Sequence, residues 1–222
     1  MKTMLIAAML CAPAAFGQTM RVSLAEGEVS VAPAGGGAAQ PAPVGSSLRE
    51  GDTVQTGESG RVEIEVPGGS IIRLGERTRL QLSVAQPAKS FSARLFLGNL
   101  WTRVHKLVAG ESFAIETENG VAGVRGTEFR LEAAEGQPDL LRVYEGAVQV
   151  GEHRVEPGHE LRFRRGAAVE PRPFDAQSEK GHRFMEWVKA HEPKDGRGQP
   201  GTIRRPEREN RLREKRERRR ER

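Results

Sequence analysis

The chain has 222 residues, a formal net charge of +5 and only 5% aromatic residues. That length suits one domain with terminal extensions. Residues 203–222 hold eleven Arg or Lys against five Glu, so the rest of the chain carries a net charge of −1. A nearly neutral body with a basic tail argues against a nucleic-acid-binding fold, which would carry its positive charge on the domain itself.

The first residues are predicted to form a secretory signal peptide. Lys2 supplies the positive charge and residues 4–15 the short apolar run. Residues 15–17 (Ala-Phe-Gly) form a small-residue cleavage motif, which predicts cleavage after Gly17. Because the apolar run is too short to cross a bilayer as a stable helix, we expect a periplasmic or secreted protein.

Cys11 is the single cysteine of the chain and lies within the predicted signal peptide. A lipoprotein signal would keep this cysteine as the lipidated first residue, and a small residue would precede it. Here Leu10 precedes it, so lipoprotein processing is the less favoured alternative. After cleavage the domain would contain no disulfide, and its stability must come from core burial and strand pairing.

Residues 18–170 are predicted to form one all-β domain. Apolar and polar residues alternate in short runs along it, which is typical of half-buried strands; the runs include residues 62–66, 80–84, 113–115, 129–131 and 161–163. Turns rich in Gly and Asn separate these runs, which favours a barrel, a sandwich or a short solenoid. The Gly/Ala/Pro stretch at 32–47 is predicted to be a flexible surface loop.

The pattern changes after the last strand. Phe184, Trp187 and Val188 fall at helical spacing, which predicts a short helix within 171–192 whose apolar face packs on the β-domain. Asp175 and Ser178 are the candidate residues to cap it.

Residues 193–222 contain almost no apolar residue and are predicted to form a disordered basic tail. Arg218, Arg219 and Arg220 near its end are candidate contacts to an anionic membrane or cell-wall surface. Each basic residue near such a surface contributes about 1 kcal/mol, from which the interspersed glutamates subtract. A solvated extension without a binding role is the equally weighted alternative.

An ordered series of short motifs resembles the FecR domain family. It begins with residues 52–57 (Asp-Thr-Val-Gln-Thr-Gly) and continues through 97–101 (Leu-Gly-Asn-Leu-Trp). Its most specific block is residues 121–129 (Val-Ala-Gly-Val-Arg-Gly-Thr-Glu-Phe), which residues 143–148 follow. The resemblance covers roughly residues 20–165, and it implies a twisted β-solenoid or sandwich of stacked hairpins in the periplasm.

The resemblance also implies a link to signalling. Family members with the full architecture are inner-membrane regulators, in which this domain relays the occupancy of an outer-membrane transporter to a sigma factor. The present sequence has a predicted signal peptide where their cytoplasmic segment and membrane helix would lie. The resemblance therefore supports a fold and a compartment, and a role in iron signalling stays open.

Two parts of this series are candidate binding sites. Gly123 and Gly126 flank Arg125, where glycines permit a tight turn or a close approach to another chain. The favoured interpretation is a bulged turn in which Arg125 bonds carbonyls or pairs with Glu128, and the alternative is an anion or partner contact. Trp101 is favoured as a core residue because Trp buries a large area, with an exposed anchor for a partner or glycan as the alternative.

Metal and acid–base chemistry find little support in the sequence. His153 and His159 flank a Pro-Gly turn, and neither a two-residue nor a bulged turn makes them a ligand pair. Glu63 and Glu65 share one strand face and are predicted to form a solvated rim. The sequence contains no nucleophile elbow, phosphate-binding loop or His-Glu-x-x-His motif, so we expect neither a metal, nor a cofactor, nor enzymatic activity.

These observations predict an exported, non-catalytic FecR-like binding or scaffold module that recognises an envelope protein or a glycan, and no nucleic acid. The alternative is a periplasmic sensor that acts through a separate membrane protein. An envelope hydrolase and nucleic-acid binding through the tail are less favoured.

Overall fold

The computed structural model describes residues 20–85, 90–168, 170–175, 179 and 181–192. The predicted signal peptide with Cys11 and the predicted basic tail with Arg218, Arg219 and Arg220 lie outside the described residues. Among the described residues, no helix has the length and apolar character that crossing a bilayer requires.

The described chain consists mainly of strands, which are β1 (Met20–Glu26), β2 (Val29–Ala32), β3 (Gln40–Pro41), β4 (Ser47–Leu48), β5 (Thr53–Thr56), β6 (Arg61–Val66), β7 (Ser70–Leu74), β8 (Arg79–Ala85), β9 (Ser90–Arg103), β10 (Ser112–Glu116), β11 (Val121–Val124), β12 (Glu128–Ala133), β13 (Asp139–Glu145), β14 (Val148–Val150), β15 (His153–Val155), β16 (His159–Arg164), β17 (Ala167–Ala168) and β18 (Arg172–Pro173). A single turn of 3-10 helix (Pro67–Gly69) joins β6 to β7, and helix α1 (Arg183–Ala190) follows the strands.

The strands form two sheets that share β9. Sheet A has the order β4-β1-β6-β7-β9-β12-β13-β16, and both β17 and β18 pair with β16. Sheet B has the order β3-β2-β5-β8-β9-β10-β11-β14-β15. The pair β9–β10 is parallel, whereas the other ladders are antiparallel. Consecutive hairpins such as β10–β11 in sheet B and β12–β13 in sheet A alternate between the sheets, and the predicted stack of hairpins is confirmed.

Strand β9 crosses from one sheet to the other at Gly98. Residues 90–97 of this strand pair with β8 in sheet B, and residues 98–103 pair with β12 in sheet A. Gly98 has φ +105°, and a Cβ at this position would overlap Thr78. Only glycine allows both this conformation and this close approach, so the bend between the sheets depends on Gly98.

Alternate side chains of both sheets form the core. The inward residues are fully buried, and examples from β6, β8 and β9 are Val62, Ile64, Leu80, Leu82 and Leu95. Each such side chain stabilises the fold by about 1.5–3 kcal/mol relative to an exposed position. The predicted alternation and the all-β fold are therefore confirmed.

Helix α1 packs against the outer face of sheet A. Its buried residues Phe184, Met185, Trp187 and Val188 form a second apolar cluster with Trp101. The predicted short helix and its packing are thus confirmed.

The helix begins later than its predicted caps. It starts after Gly181 (φ +82°), and its N-cap residue is His182, which makes no side-chain capping bond. The prediction that Asp175 caps the helix is wrong because the glycine turn separates them, and Ser178 lies outside the described residues.

The Gly/Ala/Pro stretch predicted as a loop at 32–47 is attached to sheet B near its middle. Strand β3 pairs with β2, and the Ala42 amide donates to the Val29 carbonyl at 3.0 Å. Ala42 is 2% exposed, whereas most neighbouring residues of the stretch are exposed. The stretch is thus a surface segment with one apolar contact to the core.

Candidate functional site

The predicted glycine-rich block forms the crossover from β11 in sheet B to β12 in sheet A. Arg125 is exposed at this crossover, and the Arg125–Glu128 pair considered from the sequence is not formed. Glu128 pairs instead with Arg103 at 3.0 Å. Gly126 has φ +65°, and its carbonyl lies so close to Gly146 that a Cβ on Gly146 would overlap it. Gly126 is therefore a residue of the turn itself.

Gly123 lies within strand β11, opposite Gln149 of β14. A Cβ at Gly123 would make only an ordinary contact with the Gln149 carbonyl. Gly123 and Arg125 are two residues apart along the chain but face different surroundings, since Gly123 is part of a ladder and Arg125 is exposed. The structure thus does not assemble the block into one concave site.

Trp101 is a core residue, and the alternative of an exposed binding anchor is wrong. Its side chain is fully buried beneath helix α1. The guanidinium carbons of Arg73 and Arg103 lie 5.0 Å and 5.1 Å from the indole ring centroid. These distances are typical of cation–π contacts, so Trp101 anchors the helix to the sheet and is inaccessible to a partner.

Trp101 is part of a line of residues that oppose one another across sheet A. This line, which we call the A-face row, consists of Glu63, Arg73, Trp101, Arg130, Arg142 and Glu160. Directly opposed side chains on one sheet face interact. The row therefore has a carboxylate at each end, with three guanidinium groups and an indole between them, on a face that helix α1 covers.

The A-face row binds the helix at its C-terminal end through Arg73. Its two terminal nitrogens donate to the carbonyls of Val188 and His191 at 2.6 Å and 2.8 Å. A cation at this position satisfies the free carbonyls of the last turn and complements the helix dipole. Arg73 is itself 2% exposed and pairs with Glu63 at 2.6 Å, so its buried charge is neutralised.

The prediction that Glu63 and Glu65 form a solvated rim is therefore wrong for Glu63. The Glu63 side chain is 14% exposed because Arg73 and the C-terminal segment cover it. Glu65 is 41% exposed and pairs with the exposed Arg21, as a rim residue would.

Near the N-terminal end of the helix, Glu179 forms an ion-pair network with two arginines of the row. Arg130, 1% exposed, pairs with Glu179 at 2.9 Å and with Glu132 at 2.8 Å. Arg142 also contacts Glu179. Burial raises the pKa of the Tyr144 hydroxyl, which stays protonated and donates to Glu179 at 3.2 Å.

His182 completes this network as a neutral ring. Burial, and then the charge of Arg130, lower the pKa of His182 below its ordinary value of 6.5. Its Nε2 faces the Arg130 guanidinium, and a neutral imidazole nitrogen accepts a hydrogen bond there. The charged groups of this network bond to one another and hold the helix, which gives them a structural role.

The other two histidines considered from the sequence lie at the edge of the sheets. His153 is 3.9 Å from Glu170, and His159 contacts the Pro157 carbonyl through its own ring nitrogen. In the part of the chain that the structure describes, no group of three or more His, Cys, Asp or Glu side chains could hold a metal ion.

A separate cavity of about 410 Å³ lies at one end of the sandwich, and we call it the end pocket. Its volume is within the range of pockets that bind small ligands, about 300–1,000 Å³. Its walls come from the first residue of β8, the middle of β9, the turns after β10, β12 and β16, and the first residue of β13, and they include Arg79, Phe96, Leu97, Asn119, Asp139 and Arg165.

A β-bulge gives the end pocket its apolar wall. Arg79 opposes Leu97 and Leu80 opposes Leu95, so Phe96 is an extra residue in β9. Bulges change the direction of side chains and are frequent beside functional sites. Phe96 and Leu97 are consecutive, yet they are 40% and 41% exposed and both line the pocket.

Asp139 supplies a buried acceptor. It is 1% exposed, and its Oδ1 accepts from the Asn119 side-chain amide at 2.9 Å. Burial raises its pKa, and hydrogen bonds from Thr117 and Asn119 oppose this rise without cancelling it. Within the described part of the chain, Oδ2 has no hydrogen-bond partner. An unsatisfied buried acceptor costs about 1–3 kcal/mol of stability, so this carboxyl group is a locally unfavourable feature beneath the cavity wall.

The charge at the pocket rim is partly unpaired. Arg94 pairs with Glu116 at 3.1 Å. The Arg79 guanidinium carbon lies 4.9 Å from the Phe96 ring centroid. Arg165 is exposed and makes no ion pair with any residue that the structure describes. The pocket thus combines a buried acceptor, an apolar wall and available cations, a set that sequence reasoning did not identify.

Residues 52–149 match the family model described as FecR protein. The chain carries a FecR-like domain. No curated protein matches the sequence closely.

Solved structures are similar to the FecR-like domain in fold. One is a crystal structure at 1.65 Å resolution of a candidate anti-sigma factor from Parabacteroides distasonis, with a TM-score of 0.50 and 16% identity. The similar region covers 59% of this chain and 64% of that protein. A structure at 2.50 Å resolution with the same description has a TM-score of 0.49 and 16% identity, with 58% and 62% covered. The chain therefore spans less than two thirds of the proteins it matches.

The matched residues of the FecR-like domain contain most of both regions described above. Phe96 and Asp139 of the end pocket lie within residues 52–149, as do Arg73, Trp101 and Arg130 of the A-face row. Helix α1 and Arg165 lie beyond the matched residues.

Proposed function

We propose that the protein is a non-catalytic binding module of the bacterial envelope that recognises an envelope protein or a glycan. The end pocket is the observation that carries this proposal. It joins charged side chains such as Glu118 and Arg165 to an exposed apolar pair, Phe96 and Leu97. Polar groups that converge on an apolar concave surface are the ordinary composition of a ligand site.

The proposed location in the envelope is supported by two observations. The sequence begins with a predicted signal peptide that would be cleaved after Gly17. FecR-like domains, one of which this chain carries, are generally periplasmic.

The proposal that the protein is not an enzyme is supported by the way the buried carboxylates of the A-face row and its network are paired. Buried carboxylates such as Glu160 and Glu179 are bound by arginines. Burial acts to raise the pKa of Glu160, but hydrogen bonds from Arg172 and Arg142 outweigh it and hold the pKa below its ordinary value. A carboxylate kept ionised in this way is a poor proton donor near neutral pH.

The proposal is tested by affinity capture from envelope extract. The full chain, immobilised, should retain a defined protein or glycan, and Phe96→Ala should reduce that retention. Val108→Ala is the matched control because Val108 is also an exposed apolar residue, 60% exposed, and does not line the pocket. Equal retention by both variants, or no retained component with folded protein, would contradict the proposal.

A second candidate is a sensor component that acts through a separate membrane protein. The FecR family match favours it, and the fold likeness to a candidate anti-sigma factor is consistent with it. This candidate predicts that an integral membrane protein is captured and that deleting the gene changes transcription of a defined set of genes. An unchanged transcriptome with intact capture would favour the scaffold.

We also propose that the basic tail attaches the module to an anionic surface through Arg218, Arg219 and Arg220. The support is electrostatic, since residues 203–222 carry a net charge of +6. Sedimentation with anionic phospholipid vesicles tests it: the full chain should co-sediment at low salt and a chain ending at residue 192 should not. Equal sedimentation of the two would contradict a role for the tail.

A further inference from the structure

We propose that the end pocket binds an acidic saccharide, that is, a sugar unit that bears a carboxylate. This inference rests on the proposed function, because it names the ligand class of the same pocket. It is argued from the acceptors, the cations and the apolar wall that the pocket brings together.

The acceptors of the pocket require a ligand with several donors. Asp139 lies at the cavity wall with its Oδ2 buried beneath the surface. Glu118 and Glu135 line the same cavity, and the Asn119 carboxamide reaches Asp139 at 2.9 Å. Closely spaced hydroxyl groups supply such donors without adding positive charge, which makes a polyhydroxylated ring suitable.

The cations can bind a negative group on that ligand. Arg79 and Arg165 line the cavity, and neither has an ion-pair partner among the residues the structure describes. Guanidinium groups bind carboxylates with paired, charge-assisted hydrogen bonds. A neutral sugar would leave these two cations unused, whereas the carboxylate of an acidic sugar would meet them.

The apolar wall favours a saccharide over a peptide. Phe96 and Leu97 are each about 40% exposed and form an open surface at the cavity. A sugar ring has an apolar C–H face that can rest on such a surface, as ligands commonly do on aromatic side chains. An apolar peptide side chain gains most in a well-packed, fully desolvated pocket, whereas Phe96 and Leu97 are each about 40% exposed.

The test measures binding of a defined probe by isothermal titration calorimetry. The full chain is titrated with digalacturonate as the acidic saccharide, with a neutral disaccharide of similar size, and with a short apolar peptide that has a free carboxylate. Digalacturonate should bind, and the neutral sugar and the peptide should bind at least about tenfold more weakly, the loss expected when a charged hydrogen bond is missing. Preference for the peptide or for the neutral sugar would overturn the inference.

Variants locate the binding site. Arg165→Gln and Phe96→Ala should each weaken digalacturonate binding by about tenfold. Arg21→Gln is the matched control because Arg21 is an exposed arginine on β1, and it should bind as the wild type does. Circular dichroism confirms that each variant is folded, and binding that survives both pocket variants would overturn the inference.

Failure of this inference is distinguishable from failure of the proposed function. If no saccharide binds but Phe96→Ala still abolishes capture from envelope extract, the pocket is a binding site for another class of partner. If capture is also insensitive to Phe96→Ala, the proposed function fails as well.

Discussion

Replacing Arg130 with Met should destabilise the protein by removing the centre of the network that holds the C-terminal segment. The Arg130 side chain is 1% exposed and binds Glu179, Glu132 and Asn99 at 2.9, 2.8 and 2.9 Å. Its loss leaves Glu179, 2% exposed, with one cation fewer. Breaking a buried ion pair from one side costs about 3–5 kcal/mol.

The lower end of that range applies here because Arg142 still contacts Glu179. We therefore expect Arg130→Met to lower the free energy of unfolding by about 3 kcal/mol. For a domain of this size that corresponds to a fall in Tm of about 6 to 12 °C. Thermal unfolding followed by circular dichroism, with urea titration for the free energy, measures both quantities.

Two further variants decide whether the loss comes from an unpaired charge. Arg21→Gln removes an exposed ion pair of the same sheet and should cost less than about 1 kcal/mol. Arg130→Met combined with Glu179→Leu removes both charges and should be more stable than Arg130→Met alone, because no carboxylate is left unneutralised. A loss from Arg130→Met no larger than that from Arg21→Gln would refute this reasoning.

Three further predictions concern the pKa of His182, the burial of Trp101 and the turn at Gly146. Folding lowers the pKa of His182, so its contribution to stability is complete above about pH 6.5 and is lost as the pH falls below that value. The urea midpoint should therefore fall less for His182→Gln than for the wild type when the pH is lowered from about 7.5 to about 5.5. Trp101→Ala should cost about 3–5 kcal/mol in urea unfolding, because it empties the site beneath helix α1. Gly146→Ala should destabilise more than Gly151→Ala, since both residues have positive φ but only Gly146 would overlap the Gly126 carbonyl.

Each of these predictions can fail clearly. A pH dependence unchanged by His182→Gln would mean that folding does not lower the pKa of His182. A Trp101→Ala variant as stable as the wild type would mean that helix α1 does not rest on the indole. Equal stability of the two glycine variants would contradict the close approach of Gly146 to the Gly126 carbonyl.

The fold was predictable from local pattern because each strand signals its own inward face. Val62 and Ile64 alternate with glutamates, and Leu80 and Leu82 with polar residues, and all four apolar side chains are buried. Trp101 was predicted as a core residue from its size alone, which the structure confirms.

The A-face row was not predictable from the same pattern. Alternation places Glu63 opposite the apolar core, where a charged residue normally meets water. Whether that outer face is covered depends on helix α1, more than a hundred residues further along the chain. No local signal connects Arg73 to the Val188 carbonyl, so the solvated-rim prediction failed for a reason that lies in long-range packing.

A prediction of the end pocket would have required the registers of several strands. Phe96 and Leu97 share an exposed wall because of a bulge in the pairing of β8 with β9, which sequence alternation does not reveal. The contact of Asn119 with Asp139 depends on two hairpins from different sheets. The alternation of apolar and polar residues therefore predicted the strands but not the residues that line the end pocket.

The most direct test of the proposed binding role is photo-crosslinking in intact cells. A photoreactive amino acid replaces Phe96 in the full chain, and in a parallel strain it replaces Val108, which is exposed outside the pocket. If the protein binds a partner through the end pocket, position 96 should give a discrete envelope adduct and position 108 should give none. The same adduct from both positions, or no adduct from position 96 in correctly exported protein, would contradict it.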